Sequence, residues 1–305
     1  MRIGCVDFVS NTFFPVVAAE ELGFFKAENL DAHIELVRAP GALVALRNNE
    51  LDAVAISAHA VLRSFPQWDG AKLLVTVAQG LPWLLIIRSD LSVDRGDMNA
   101  LRGLRIAAAN DPALVLGRVL AESGLQPQKD VQIIELPGGE GPNVNYGVFA
   151  AEALEAGRID GFWANAMGGE VSIRRGIGKV HLDVRRNDKF AAVRHFTFAT
   201  LVTTEALIER DSELVAAAVR AIVKTHHALR ADSRKAAEVG KRRFPSYAAE
   251  LIAAIVDRDL PYYDPAISNE ALEGLNRFAQ AVNLLERPVP YERIVATRYR
   301  DLWRQ

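Results

Sequence analysis

The pattern of apolar and polar positions repeats itself along the chain. Residues 45–57 read ALRNNELDAVAIS, and residues 153–165 read ALEAGRIDGFWAN. Each stretch begins Ala-Leu, passes through a polar turn to an aliphatic residue followed by Asp, and ends in a short apolar run before a small polar residue. A helix that stops at a turn and leads into a buried strand produces this pattern. The sequence therefore predicts the same helix-to-strand unit twice, with strands that end at Ser57 and Asn165.

Matching elements are predicted around both copies. Strand patterns at residues 2–7 and 105–111 precede helical patterns at 15–25 and 114–123, and second strands follow at 33–37 and 132–136. Two tandem β-α-β-α-β units, each a parallel sheet covered by helices, account for this order. Asp52 and Asp160 stand at the amino ends of their strands, so we expect them to stabilise turns rather than bind a ligand.

The remaining segments predict an α/β protein with two Rossmann-like lobes. Apolar strands at residues 84–88 and 196–202 are the candidate crossovers between the lobes, and the chain after residue 204 has helical spacing interrupted by prolines. The predicted division places residues 1–86 and 202–305 in lobe 1 and residues 87–201 in lobe 2. A ligand cleft is expected between the lobes, beyond the carboxyl ends of the strands, so Ser57 and Asn165 should face it from opposite sides.

Composition narrows the function classes. The 305 residues are 50% hydrophobic, and 36 Lys and Arg against 38 Asp and Glu leave a formal charge of -2, with no basic block, so we expect no nucleic-acid partner. With Cys5 as the single cysteine and no metal-site spacing of Cys and His, no intramolecular disulfide, metal or cofactor is predicted. The pair His226 and His227 is predicted to lie on a solvated helix face.

The sequence leaves two cellular locations open for the protein. No apolar segment precedes Ile3 and no run reaches membrane-spanning length, so Cys5 is predicted to be a buried strand residue rather than a lipid-attachment site. We expect a periplasmic protein if a leader was removed from this chain, and a cytoplasmic one if Met1 is the native start.

Several segments resemble a known family. These segments are residues 14–25 (FPVVAAEELGFF), 29–31 (NLD), 39–41 (APG), 157–161 (GRIDG) and 291–295 (YERIV). They are similar to ABC-transporter solute-binding proteins of the nitrate, sulfonate and taurine type, whose fold is shared with thiamin-pyrimidine synthases. The resemblance implies a periplasmic-binding-protein type II fold, hinged closure on a small solute, and delivery of that solute to an ABC permease by a monomer.

Helix starts predicted behind strand ends indicate the chemistry of the solute. Backbone N–H groups at such starts favour an anionic group such as a sulfonate or a carboxylate. The candidates that could offer a polar side chain or a backbone N–H group to the ligand are Ser10, Asn11, Thr12, Gly41, Ser57, Ala58, His59, Asn110, Asp111, Asn143, Asn145, Asn165 and Arg194. Phe13, Phe14, Trp83 and Trp163 could form an apolar wall for an aromatic or aliphatic part of the solute; the alternative for each is core packing.

The resemblance also extends to enzymes built on the same scaffold. The first loop resembles that of the biphenyl-sulfinate desulfinases, which carry a nucleophilic cysteine where this chain has Thr12, and the cysteine-rich motif of the thiamin-pyrimidine synthases is missing. We therefore predict no catalytic residue. The alternative is a cytoplasmic lyase, decarboxylase or hydrolase acting on an aromatic acid, with His59 as the proton-transfer residue, or a sensor. Packing under the loop is an equally open role for His59, as is an exposed rim position for Arg194.

Overall fold

The computed structural model describes residues 1–39, 41–139, 141 and 144–305. Its contacts divide the chain into two compact units: Met1–Gly80 with His195–Gln305, and Leu81–Arg194. The divisions fall after residues 80 and 194, whereas the sequence predicted them after residues 86 and 201. The two strands expected to cross between the lobes consequently each lie within one unit.

Within the described residues, short strands alternate with helices. The strands are β1 (Arg2–Cys5), β2 (His33–Leu36), β3 (Ala53–Ser57), β4 (Ala71–Ala78), β5 (Leu84–Arg88), β6 (Arg105–Ala108), β7 (Gln132–Ile134), β8 (Gly161–Ala164), β9 (Gly178–Asp183) and β10 (Ala199–Thr204). The α-helices are α1 (Phe14–Glu21), α2 (Phe24–Ala27), α3 (Gly41–Arg47), α4 (Asn110–Glu122), α5 (Tyr146–Glu155), α6 (Ala166–Arg174), α7 (Glu205–Arg210), α8 (Ser212–Ala231), α9 (Lys235–Arg243), α10 (Ser246–Asp259), α11 (Asn269–Ala281) and α12 (Tyr291–Ile294). The predicted elements of both repeats are present, with ends shifted by a few residues.

Each unit contains one mixed sheet, and the two sheets have the same topology. The first has the order β2-β1-β3-β10-β4 and the second the order β7-β6-β8-β5-β9. In both, the first three strands are parallel, and the fourth, β10 or β5, runs antiparallel to its two neighbours. The parallel arrangement predicted for the three strands of each repeat is confirmed, and the antiparallel strand of each sheet is an addition whose place in the sheet was not predicted. In the chain, β10 comes after the other strands of its sheet, and β5 comes before the other strands of its sheet. Both lie outside the tandem repeat, which therefore does not predict them.

The repeated aspartates hold equivalent positions at the amino edges of the two sheets. Asp52 Oδ2 accepts a hydrogen bond from the backbone nitrogen of Arg2 at 2.7 Å, and Asp160 Oδ2 accepts one from the backbone nitrogen of Arg105 at 2.9 Å. The guanidinium groups of Arg2 and Arg105 also donate to the carbonyl oxygens of Asn49, at 2.8 Å, and of Gly157, at 3.2 Å. These contacts fasten the turn before the third strand to the start of the first strand in each unit.

Those turns need a left-handed residue. Asn49 has a φ of 60° and Gly157 a φ of 69°, a region that glycine and asparagine enter at the least cost. The helix stop read from Gly157 in the sequence is thereby explained by the backbone.

Helices α7 to α11 belong to the first unit. In α8, the environment of His226 differs from the solvated face predicted from the sequence. His226 is fully buried, its Nε2 lies 2.9 Å from the carbonyl oxygen of Val77, and its ring stacks on Tyr263 with centroids 5.7 Å apart. Burial lowers the pKa of His226 to about 3. The predicted solvated face was wrong for His226, because it shares the buried stripe of α8, whereas His227 is exposed.

No helix in the described parts of the chain has the length and apolar character required to cross a membrane.

Candidate functional site

The loop between β1 and α1 carries three buried polar side chains. Ser10, Asn11 and Thr12 are 1%, 1% and 3% exposed. They follow the carboxyl end of a central parallel strand, where open α/β sheets bind their ligands. Ser10 Oγ accepts a hydrogen bond from the backbone nitrogen of Thr12 at 3.2 Å, which gives the loop a tight local turn.

Asn11 is held by two residues from the far end of the chain. Its Nδ2 donates to Oδ2 of Asp259, the last residue of α10, at 2.5 Å, and its carbonyl oxygen accepts from the hydroxyl of Tyr263 at 2.6 Å. Asp259 is itself fully buried. Neither Asp259 nor Tyr263 was predicted from the sequence, because more than half of the chain separates them from the loop.

Two oxygen atoms of this loop have no hydrogen-bond partner in the described parts of the chain. They are Oδ1 of Asn11 and Oγ1 of Thr12, both buried. Buried polar atoms are nearly always paired in folded proteins, since leaving one unpaired costs free energy. Two such oxygens lie in adjacent residues of the loop after β1, where the sequence predicted polar contacts to a ligand.

The two phenylalanines of this loop differ in their surroundings. Phe13 precedes α1 and is 6% exposed. Phe14, the first residue of α1, is fully buried and meets the ring of Phe244 edge-on at a centroid distance of 6.1 Å. The contact with Phe244 corresponds to the core-packing alternative for Phe14.

The carboxyl end of β3 brings together Ser57, Ala58 and His59. Ser57 precedes a 3-10 helix formed by Ala58–Arg63, and the backbone nitrogen of Ala58 donates to the carbonyl oxygen of Phe198 at 2.9 Å. His59 is fully buried, with Nδ1 2.9 Å from Oγ1 of Thr197. Its ring meets Phe278 edge-on at 5.5 Å. The contacts of His59 thus fit the packing role.

Gly41 is the exposed first residue of α3, which contains seven residues. Pro40 beside it lies outside the described residues, as do Glu140 and Asn143 of the glycine-rich segment.

In the second unit, the two predicted tryptophans are neighbours. The rings of Trp83 and Trp163 are 6.2 Å apart between centroids, with an angle of 55° between their planes. Trp163 lies in β8 and is fully buried, and its Nε1 has no hydrogen-bond partner within the described ranges. Because Trp83 directly precedes β5, which pairs with β8, the sheet itself brings the two rings together.

The predicted residues Asn145, before α5, and Asn165, between β8 and α6, both cap helices. Asn145 Oδ1 accepts from the backbone nitrogen of Val148 at 3.1 Å, and Asn165 Oδ1 accepts from that of Met167 at 3.1 Å. The helices they cap, α5 and α6, touch at Gly147 and Gly168, where a Cβ on Gly168 would lie 2.3 Å from the carbonyl oxygen of Gly147. Each asparagine oxygen has a structural task, a role the sequence analysis did not assign.

The other predicted polar residues of this unit are less buried. Asn110 is exposed and Asp111 half-buried, as the first two residues of α4. Arg194 is half-buried, and its carbonyl oxygen accepts from the backbone nitrogen of Leu81 at 3.0 Å.

A row of buried polar side chains that the sequence did not predict runs from β9 into the 3-10 helix Val184–Arg186. His181, Asp183 and Arg185 are 1%, 6% and 3% exposed. Asp183 lies in register with Leu84 of β5, which pairs in turn with Ala164 at the end of β8, so Arg185 follows the same carboxyl edge as Asn165. The alternation of these polar residues with Val180, Leu182 and Val184 could have signalled them. Burial lowers the pKa of His181, whose Nε2 lies 3.1 Å from the carbonyl oxygen of Asp97.

A cavity of about 600 Å³ in the second unit lies elsewhere. Its lining comprises residues 94–99, 122–123, 189–190 and 192–193 and includes none of the predicted ligand residues. The lining combines the segment before β6, the end of α4 and the segment after β9. Because it contains none of the residues predicted to bind the ligand, we give this cavity no role in the site.

The single cysteine does not supply a nucleophile. Cys5 is fully buried, and burial raises the pKa of its thiol to about 12. A thiol with that pKa is not a thiolate at neutral pH. Among the described residues, no three His, Cys, Asp or Glu side chains are grouped to hold a metal ion.

Comparison with solved structures places this arrangement in a known class. A Candida albicans protein described as having the generic periplasmic binding protein structural fold superposes with a TM-score of 0.62, at 15% identity over 94% of this chain and 91% of that one. The alkanesulfonate-binding protein SsuA from Xanthomonas axonopodis, bound to MOPS, gives 0.67 at 18% identity over 95% of each chain. The desulfurization enzyme DSZB gives 0.71 at 16% identity over 99% and 98%.

The fold is that of the periplasmic binding proteins, with two units that each contain a mixed sheet and flanking helices, as the sequence predicted in its main features. Residues 10–236 match the family model described as NMT1/THI5 like, and the chain belongs to that family. No curated protein matches the chain at a significant level.

Proposed function

We propose that this protein is the solute-binding receptor of an ABC importer and captures a small anionic organic solute. Membership of the NMT1/THI5-like family and the likeness to a sulfonate-binding protein of the same fold support the proposal. A sulfonate, a carboxylate or an aromatic acid is the expected class of solute. The buried loop with the unpaired oxygens of Asn11 and Thr12 is the observation that carries the binding of a polar solute, and its anionic group is assigned to a separate, positively charged residue.

The counter-charge for the anion is proposed to come from Arg185. Arg185 carries a positively charged guanidinium and is only 3% exposed. It follows the carboxyl edge of the second sheet. A guanidinium can bind a sulfonate or carboxylate through two parallel hydrogen bonds. The paired rings of Trp83 and Trp163 at the same edge would contact an apolar part of the solute.

An enzyme is the second candidate, and the likeness to DSZB is the observation that favours it. A structure of that enzyme's variant contains biphenyl-2-sulfinic acid, so the fold also accommodates an enzyme. In this chain Thr12 stands in the first loop and Cys5 is buried with a pKa of about 12. A threonine hydroxyl needs an activating base to act as a nucleophile, which makes binding without chemistry the preferred function.

The partners follow from the same proposal. The receptor would act as a monomer outside the cytoplasmic membrane, like the periplasmic sulfonate-binding proteins it resembles, and deliver its solute to a permease. Co-purification with a membrane permease, and fractionation of the native cell, are the corresponding measurements.

The direct test is a ligand panel. Purified protein is titrated with alkanesulfonates, aliphatic carboxylates and aromatic acids by calorimetry, and the same mixtures are followed by NMR to detect turnover. Saturable binding without turnover is expected. Turnover of a bound acid would favour the enzyme, and absence of binding to every anion would contradict the proposed function.

A further inference from the structure

We propose that the solute also carries a hydrogen-bond donor, such as an amino or hydroxyl group, and that the side-chain oxygens of Asn11 and Thr12 accept its hydrogen bond. Asp259 is the positioning residue that makes the loop prefer a donor, because it orients the amide of Asn11. The inference rests on the proposed function, since it assumes that the loop of residues 10–12 binds the solute. It adds the polarity of one subsite, which the anionic character of the solute does not specify.

The first step is the orientation of the Asn11 amide. An amide side chain can present either its oxygen or its nitrogen to a ligand. Here Nδ2 donates to Oδ2 of Asp259 at 2.5 Å. The reverse orientation would bring Oδ1 against a carboxylate oxygen, and two acceptors repel each other. Asp259 therefore directs the nitrogen of the amide away from the guest and leaves the oxygen for it.

The second step is the rigidity of the support behind Asn11. The hydroxyl of Tyr263 donates to the carbonyl oxygen of Asn11 at 2.6 Å, and the ring of Tyr263 stacks on His226. His226 in turn is bound to the carbonyl oxygen of Val77 at 2.9 Å. Tyr263, His226 and Asp259 are all fully buried. A loop held on this side by buried partners cannot easily turn its amide to suit another guest.

The third step is the chemistry of the atoms left over. Oδ1 of Asn11 is buried without a partner in the described chain, and an amide oxygen only accepts hydrogen bonds. Oγ1 of Thr12 is likewise buried without a partner among the described residues, and its hydroxyl can accept or donate a hydrogen bond. The acceptor of Asn11 therefore determines the preference, and it is satisfied by a donor such as N–H or O–H. The anionic group of the solute would be repelled by this acceptor and must bind elsewhere.

The expected discrimination is substantial. A ligand that places a methyl group against a buried acceptor leaves that acceptor unpaired, and such a mismatch lowers affinity by roughly 10- to 100-fold. The preference should appear between ligands of the same shape and charge that differ only in the donor.

The experiment compares matched ligand pairs by calorimetry with the full chain. Isethionate is compared with propanesulfonate, and meta-aminobenzenesulfonate with meta-toluenesulfonate. The uncharged pair meta-aminobenzamide and meta-toluamide is added, so that the donor can be tested without the anion. We expect the donor-bearing member of a bound pair to bind more tightly by the stated factor.

Two variants test the assignment to this loop. Thr12→Val removes one unpaired oxygen with little change of shape, and Asp259→Asn allows the Asn11 amide to turn over. Both should reduce the ratio of affinities within a pair, and Asp259→Asn should bring it towards unity. The controls are Thr225→Val, a buried threonine within α8, and Asp69→Asn, an exposed aspartate of the same unit. Both should keep the wild-type ratio.

The ratio separates positioning from stability. A merely structural loss at Asp259 would weaken both members of a pair equally, or lower the melting temperature, without changing the ratio. Equal affinities within every bound pair, or an unchanged ratio in both Thr12→Val and Asp259→Asn, would overturn the inference while the proposed function stands. Binding of the uncharged donor without any anion would support the inference and contradict the proposed function, and binding of no member would overturn both.

Discussion

Asp160 accepts two hydrogen bonds of 2.9 Å from Arg105, one from the backbone nitrogen and one from Nε of the guanidinium. The equivalent aspartate of the first unit, Asp52, accepts from the backbone nitrogen of Arg2 at 2.7 Å. The same backbone contact thus occurs in both units, and the guanidinium contact adds to it in the second.

The Asp160–Arg105 pair should make the protein sensitive to acid. The guanidinium hydrogen bond from Arg105 is the main favourable cause of the lowered pKa of Asp160. Because the folded state favours the carboxylate, the stabilisation is complete above the ordinary pKa of 3.8 and is lost as the pH falls through the lower folded value. Asp160→Asn should reduce the free energy of unfolding at pH 7 by about 1.5–3 kcal/mol, measured by urea denaturation.

The matched control is Asp52→Asn, which lies at the equivalent turn and is expected to cost less. The difference between wild type and Asp160→Asn should shrink when the denaturation is repeated below the ordinary pKa of an aspartate. A difference that stays constant over this pH range would show that the charge of Asp160 is not responsible.

His226 should produce a loss of stability in a higher pH window. The pKa of His226 is about 3 in the folded state against an ordinary value of 6.5. Below pH 6.5 the unfolded chain therefore binds a proton at this ring, whereas the folded chain binds it only near pH 3. Stability is therefore retained above 6.5 and falls as the pH decreases towards 3. His226→Phe should be less stable at pH 7, because Val77 loses its hydrogen bond, but its stability should depend less on pH within this window.

His227→Gln is the control for His226, because the neighbouring ring is exposed. Its pH dependence of unfolding should match that of the wild type. A His226→Phe curve parallel to the wild-type curve would contradict a neutral buried histidine.

The contact between α5 and α6 should not tolerate a side chain. A Cβ at Gly168 would lie 2.3 Å from the carbonyl oxygen of Gly147, so backbone would have to move. Gly168→Ala should lower the free energy of unfolding by about 2 kcal/mol or more. Gly117→Ala, in the middle of α4 where the nearest atoms are 3.8 Å away, should be neutral or stabilising by up to about 1 kcal/mol. Equal effects in thermal denaturation would disprove the close contact.

Arg185 should control the affinity for anions. Arg185→Gln removes the buried charge, and we expect the affinity for a bound sulfonate or carboxylate to fall by roughly 10- to 100-fold in a calorimetric titration. Arg185→Lys keeps the charge but loses the two-pronged geometry, so its loss should be smaller. Arg174→Gln, at a side chain that is 50% exposed beside Glu170, is the control. Unchanged affinity in Arg185→Gln, with the fold intact, would remove Arg185 from the site.

The sequence predicted most of the fold for an identifiable reason. The strands that end at Ser57 and Ala164 and the turns at Asn49 and Gly157 depend on residues close together in the chain. Local hydrophobic period and turn chemistry report such features directly. His226 was misjudged although it is local, because the polar pair was given more weight than the apolar stripe of α8 in which His226 lies.

The candidate site was only partly predictable. Ser10, Asn11 and Thr12 were identified from their place after a strand, and they are buried as a group. Asp259, Tyr263 and Arg185 were not identified, because a single polar residue in a helix end, a loop or a strand carries no sign of its distant partner.

By itself, the sequence determined a duplicated α/β architecture, the ends of its central strands and the loop that follows the first of them. Only the tertiary structure decided that β10 and β5 enter their sheets antiparallel, and that Asp259 meets Asn11 across 248 positions of the chain. The physical reason is that turns and hydrophobic periods act between neighbours in sequence. Sheet order and the pairing of buried polar groups are decided by the packing of distant segments, which must satisfy every buried donor and acceptor together.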